Sequence, residues 1–200
     1  PMQSRIAIGS ISGVLSFSIF TPFSFSLLGP ETAGKVGLTV AIVTGISTLS
    51  VVPSMVSSQK IASLVEQKNI GMLDNLILRL LALSFAIHIF SLLILIALFY
   101  SLEEFFPFIL EKVLDPKSFL LFFFAMMFSL ISTPLSIFMR AHKEEPLMWL
   151  SIFTGVFICF GSYFGMYLYG AIGAALTFFM VTFLSFPILI LIFFKFRSRY

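Results

Sequence analysis

The sequence predicts an all-α integral membrane protein, a bundle of six transmembrane helices. Three observations lead there. Hydrophobic residues make up 59% of the 200 residues and charged residues 10%, with a mean hydropathy of +1.09, whereas a soluble domain carries roughly 25% charged residues. A water-soluble fold of this length leaves too much surface wet to hide 27 Phe and the Leu and Ile beside them. The apolar residues also fall into six continuous runs, each near the ~20 residues that a helix needs to cross hydrocarbon. Continuous runs argue for helices, which satisfy their own backbone in lipid. A barrel would alternate apolar and polar residues in segments of about ten.

The runs lie at 5–28, 36–57, 77–100, 118–139, 147–169 and 171–194, within a single transmembrane domain 1–200. The first is too long, and too interrupted by Gly, Ser and Pro, to be a cleaved signal. The chain opens on Pro1, and the reading expects an N-terminal portion of a larger protein before it. In the linker 58–76, Ile61, Leu64 and Val65 stand at helical spacing beside Lys60, Glu66, Gln67 and Lys68. That pattern predicts a short amphipathic helix at the headgroups. The loop 101–117, "SLEEFFPFILEKVLDPK", mixes acids with Phe105, Phe106, Phe108 and Ile109 and reads as interfacial on the other side. "RAHKEE", 140–145, is a tight turn between the fourth and fifth spans.

Threading the six spans alternately collects nine basic residues on one side, Arg5, Lys60, Lys68, Arg79, Arg140, Lys143, Lys195, Arg197 and Arg199, against three on the other, Lys35, Lys112 and Lys117. Basic residues accumulate on the cytoplasmic side, so both ends of the chain and "RAHKEE" are expected there. The net charge of +3 is explained by this bias, and no nucleic-acid partner is expected. The bilayer is the partner.

Proline interrupts four spans, at Pro22, Pro53, Pro134 and Pro187, each removing a backbone donor and bending its helix. Bent helices surround the substrate paths of transporters, yet membrane helices also tolerate proline without such a role. Gly9 with Gly13, and Gly161 with Gly165, form two GxxxG pairs. Such pairs let helices approach closely, either within the bundle or between copies.

His88 is the one ionisable side chain near the middle of a span. It reads as a candidate for proton coupling or substrate contact, or as a neutral imidazole bonded to a neighbouring helix. Hydroxyls are plentiful in the first, second and fourth spans (Ser16, Thr39, Thr44, Ser47, Ser129, Ser132 and Ser136 among them). They could line a cavity or bond back to their own helices. Cys159 is the single cysteine and cannot form an internal disulfide. His142 and Glu145 stand three apart, a spacing that could in principle seat a metal, but two ligands without a third make a weak signal. No phosphate loop, carboxylate cluster or activated nucleophile is present. No enzyme activity, metal or cofactor is expected.

Three stretches, "RIAIGSISGVLSFSIFTPFSFSLLGPETAGKVGLTVAIVTGIS", "KIASLVEQKNIGMLDNLILR" and "MRAHKEEPLMWLSIFTGV", resemble bacterial polysaccharide-biosynthesis membrane proteins. These are relatives of O-antigen flippases in the multidrug/oligosaccharidyl-lipid/polysaccharide exporter superfamily. The turn of Gly29, Pro30, Ala33, Gly34 and Gly37 carries part of the likeness. The turn of Arg140, Ala141, His142, Lys143, Glu145 and Pro146 carries the more specific part. The resemblance implies that these six spans are the C-terminal half of a two-bundle flippase in the bacterial inner membrane, partnered by an N-terminal half of the same chain. The implied substrate is an undecaprenyl-pyrophosphate-linked oligosaccharide moved by alternating access. It makes Arg140, His142 and Lys143 a candidate electrostatic funnel for the anionic lipid, beside the plainer reading that they fix topology and meet headgroups. A cation-coupled exporter of small molecules, a membrane enzyme of lipid-linked sugar assembly and a non-transporting scaffold remain as other readings.

Overall fold

The computed structural model describes residues 2–105, 108 and 111–199. Among them there are eight helices and no strand: α1 (Met2–Ser18), α2 (Phe20–Leu28), α3 (Pro30–Val56), α4 (Ser58–Glu66), α5 (Ile70–Phe105), α6 (Pro116–Ala141), α7 (Met148–Tyr169) and α8 (Ala171–Arg197). Six helical segments are long and apolar enough to span a bilayer. The chain is an all-α, multi-pass membrane bundle.

The first expected span is broken into α1 and α2 at Ile19. Pro22 has no N–H to offer the Ser18 carbonyl, and regular bonding resumes with Phe23 N–H donating to the Ile19 carbonyl at 3.1 Å, as proline predicts one turn downstream. Gly29, at φ 89°, turns the chain into α3, a left-handed conformation that glycine adopts without a Cβ clash. Pro30 then supplies the first helical residue. The second span therefore begins at Pro30 rather than 36, its first turn closed by a Glu31–Lys35 ion pair at 3.0 Å.

The linker 58–76 is corrected in part. Ser58–Glu66 forms the expected amphipathic helix α4, with Ile61 and Leu64 buried, but residues 70–76 belong to α5. Asn69 starts that helix by accepting the Met72 N–H at 3.2 Å. Asp74 sits on a helix that continues out of the apolar layer. The loop expected from 101 likewise begins later, because α5 runs to Phe105; Phe106 and Ile109 lie outside the described residues. Asp115 caps α6 with both carboxylate oxygens, accepting from Ser118 N–H at 3.1 Å and Ser118 Oγ at 2.7 Å.

Small residues set the closest helix contact. A Cβ at Gly165 would stand 2.6 Å from the Gly173 carbonyl oxygen, and Gly161 faces Thr177. Thr177 Oγ1 donates to the Gly161 carbonyl at 3.1 Å. The pair Gly161 and Gly165 thus joins α7 to α8 within the bundle. Gly9 approaches Ser151, whereas nothing lies within 4 Å of a Cβ at Gly13. Two apolar clusters fill the interior. One gathers Phe20, Val43, Phe119, Phe122, Phe123 and Phe178, and the other gathers Ile61, Leu73, Leu135, Phe138, Leu189 and Phe193. Val113 and Leu114 tuck into the first cluster, where the Leu114 N–H donates to Thr39 Oγ1 at 3.0 Å.

Large apolar side chains cover the outside, such as Val56, Phe157 and Leu191, as lipid requires. Trp149 and Tyr167 are exposed on α7, about 27 Å apart along the helix axis at 1.5 Å per residue. Amphipathic aromatic rings settle at the two interfaces, so this spacing matches a hydrocarbon core of ≈ 30 Å. "RAHKEE" and the C-terminus share one end of the bundle: Arg199 lies 4.0 Å from Glu144, and Arg197 pairs with Asp74 at the start of α5.

Candidate functional site

A cleft of ≈ 260 Å³ opens among α1, α6, α7 and α8. Its walls carry eight hydroxyls: Ser16 from α1; Ser129, Ser132 and Ser136 from α6; Ser151 and Thr154 from α7; Thr182 and Ser185 from α8. On α1, α6 and α7 the lining runs from near the basic end toward the middle of the span, and on α8 it occupies the central stretch from Phe178 to Leu189. On α6 the lining runs from Phe128 to Arg140, and on α7 from Leu147 to Ile158. That depth is about 18 Å at 1.5 Å per residue, roughly half the thickness of a bilayer with its headgroups.

At mid-membrane the cleft stops against Phe17, Ile158 and Phe178. Phe20 and Phe122 lie behind them and complete a set of four rings: Phe17 and Phe178 have centroids 5.3 Å apart, Phe20 and Phe122 5.2 Å, and Phe122 and Phe178 5.8 Å. Edge-to-face and tilted rings at such distances make a tightly packed apolar seal.

Five of the eight hydroxyls are satisfied by their own helix. Ser16 donates to the Ser12 carbonyl at 2.7 Å and Ser132 to the Ser129 carbonyl at 2.6 Å, while Thr154, Thr182 and Ser185 bond back likewise. Ser129, Ser136 and Ser151 make no side-chain hydrogen bond among the described residues. Those three are available to a ligand. The prolines of α6 and α8, Pro134 and Pro187, fall within the lining stretches, whereas Pro22 and Pro53 lie elsewhere.

The mouth holds an ion pair. Arg140 donates from Nε to Glu145 Oε2 at 2.5 Å and from Nη2 to Oε1 at 3.2 Å. The Glu145 side chain is 5% exposed and that of Arg140 is 38% exposed, so the carboxylate is withdrawn while the guanidinium keeps an edge toward the opening. The cleft carries both charges and is neutral overall.

The three cationic candidates of the turn are therefore separated. Arg140 lines the cleft. His142 turns toward α8, with its ring 5.6 Å from Phe196 and Nδ1 3.0 Å from the Phe138 carbonyl. Lys143 holds φ 61° in the C-terminal motif of α6, where its N–H donates to the Arg140 carbonyl at 2.9 Å and the Glu144 N–H to Met139 at 3.3 Å. This is the helix-ending arrangement that usually employs glycine. Glu145 is engaged by Arg140, and no group of three metal-ligating side chains occurs among the described residues.

His88 is fully buried and away from the cleft. It lies 3.2 Å from Ser50 Oγ on α3 and 3.3 Å from the Phe123 carbonyl on α6, and stacks on the Phe123 ring at 4.1 Å. One imidazole thus links three helices. Two hydroxyls of the second span are likewise spent in packing, Thr39 on Leu114 and Ser50 on the Ile46 carbonyl and His88. Sequence reasoning missed Ser151, Thr154, Thr182 and Ser185. Their spacing is a signal: Ser151 and Thr154 stand three apart, as do Thr182 and Ser185, so each pair shares a helix face.

Comparison with known protein families, with curated proteins and with solved structures gave no match to this chain.

Proposed function

We propose that the protein is a membrane transporter, a flippase that moves a polyprenyl-pyrophosphate-linked oligosaccharide from the cytoplasmic to the outer leaflet of a bacterial inner membrane by alternating access. The observation that carries this reading is the hydroxyl-lined cleft, closed at mid-membrane by phenylalanine rings. A polar cavity reaching halfway through an apolar bundle has the form of one state of an alternating-access carrier. Its chemistry suits sugar hydroxyls: unspent serines, no net charge, and one guanidinium edge at the mouth for the anionic part of the lipid. The basic bias of the open end supports a cytoplasmic orientation for it.

Two other readings fare less well. A scaffold whose cavity had closed would place Phe123, Phe124 and Phe128 in the cleft, and only Phe128 lines it. A cation-coupled exporter would hold an acid free at membrane depth, whereas the buried Glu145 is bound by Arg140. Deletion of the gene in a strain lacking redundant flippases tests the proposal. Lipid-linked repeat units should accumulate on the cytoplasmic leaflet, and unchanged levels there would reject transport. Replacing Ser129, Ser136 and Ser151 together by Ala should lower export about tenfold or more, since each polar contact to a substrate is worth ~0.5–1.5 kcal/mol, with protein level unchanged.

A further inference from the structure

α4 packs on the start of α5 at the basic end of the bundle, and the acids of this joint face one side only. Glu66 and Asp74 line a cavity there together with Arg197, which pairs with Asp74. On the other side lies a smaller groove of ≈ 200 Å³, lined by Lys60 and Leu64 of α4 and by Met72, Asn75, Leu76 and Arg79 of α5. Leu64 lines both and stands between them. Among the described residues no acid lines the groove, and Lys60, Asn75 and Arg79 make no side-chain hydrogen bond or ion pair.

The groove opens on the lipid-facing side. Met72 in its lining and Leu78 beside Arg79 are each 62% exposed, and Arg79 stands at the edge of the apolar run that begins near 77. A guanidinium at that depth extends toward the headgroup layer while its stem stays in the apolar zone. From Arg79 inward, Ala82, Ala86 and Phe90 follow at intervals of three, four and four residues, all exposed, so they continue one face of α5. That face runs about 16 Å from Arg79 to Phe90 at 1.5 Å per residue, close to one leaflet's share of the ≈ 30 Å hydrocarbon. A phospholipid of the basic-side leaflet has this layout, with its phosphate at the boundary and its chains running inward to the midplane.

We infer that this groove is a binding site for an anionic phospholipid of the basic-side leaflet, its phosphate between Lys60 and Arg79 and one acyl chain along Ala82, Ala86 and Phe90. Two cations with no acid beside them favour a net negative headgroup over a zwitterionic one, whose ammonium they repel. Asn75 adds a donor and an acceptor for the hydroxyls of a glycerol head. Held across the turn at 67–69, the lipid ties the amphipathic helix α4 to α5. The site shares no lining residue with the hydroxyl cleft and is independent of what the cleft carries.

Photo-crosslinking tests it. The full-length protein, in nanodiscs of phosphatidylglycerol and phosphatidylethanolamine in equal amounts with the same chains, carries a photoreactive phenylalanine analogue at position 72 or 157. Position 72 lies in the groove, and position 157 is the control, a lipid-facing site on α7 that is 63% exposed. Mass spectrometry reads which lipid is attached. The product at 72 should be enriched in phosphatidylglycerol about tenfold over that at 157, the scale set by two cations at a membrane surface. Lys60→Gln combined with Arg79→Gln, both at exposed positions, should bring position 72 to the level of 157. Lys195→Gln, at an exposed cation of the same end outside the groove, should leave the enrichment intact, and so should excess glycerol 3-phosphate, which carries the phosphate without the chains. Equal products at 72 and 157, or an enrichment that survives the paired substitution, overturn the site. Loss of the lipid product to glycerol 3-phosphate overturns it as well and assigns the groove to a soluble phosphate ester.

Discussion

Arg140 and Glu145 form the mouth of the cleft, and their unequal exposure gives their variants unequal costs. Arg140→Gln strands a carboxylate whose side chain is 5% exposed, at about 2–3 kcal/mol, because an uncompensated buried charge dominates the loss. Glu145→Gln leaves a guanidinium that is 38% exposed and can turn to water, so it should cost less than ~1 kcal/mol. Equilibrium unfolding of the two variants in mixed micelles measures the difference, and the reverse order would refute the account. Lys143 offers the opposite case. Its φ of 61° strains any L side chain, so Lys143→Gly should stabilise the protein by about 1 kcal/mol in the same measurement. Composition singled out "RAHKEE", and the structure divides its residues among a cleft mouth, an aromatic contact and a helix terminus. That division was illegible in sequence because it depends on which way α6 faces α7 and α8.

At the level of helices, contact distances separate glycines that look alike in sequence. A Cβ at Gly173 would collide with the Gly165 carbonyl, and backbone cannot move aside as a side chain can. Gly173→Ala should therefore force α7 and α8 apart and cost about 1–3 kcal/mol, the usual penalty of overpacking. Gly13→Ala meets nothing within 4 Å and should leave stability level or raise it by up to ~1 kcal/mol through helix propensity. Thermal unfolding of both variants decides it. His88 belongs to this scale as well, since it fastens α5 to α3 and α6. His88→Ala should cost on the order of 3 kcal/mol through the cavity it leaves. Transport by the surviving protein should keep its pH profile between about pH 5.5 and 8, the interval in which an unperturbed imidazole titrates. A flattened or shifted profile would reassign His88 to coupling.

For the whole molecule, cysteine labelling of a Cys159→Ser background checks the threading. Cysteines at Lys143 and Arg199 should react with a membrane-impermeant maleimide from one side, and those at Lys35 and Lys112 from the other. Reaction of Lys143 and Arg199 positions on opposite sides would undo the topology. The six crossings were readable because the solvent for each helix is lipid, and a run of apolar residues records that directly. The break at Ile19 was partly readable through Pro22. The cleft was half readable: Ser16, Ser129, Ser132 and Ser136 were singled out and do line it. Thr39 and Ser50 were equally polar in sequence but are consumed by Leu114 and His88. Hydroxyl content shows that polar atoms must be accommodated inside the bundle, and packing between distant helices decides whether a ligand or the protein does so.

Trp149, the sole tryptophan, lies at the basic end of α7 with 63% of its surface exposed. These 200 residues therefore carry a single indole emitter at one headgroup layer. Its emission maximum and its quenching by chain-brominated phospholipids would read the immersion depth of α7 with no label attached. A tilt of that helix would register as a change in wavelength.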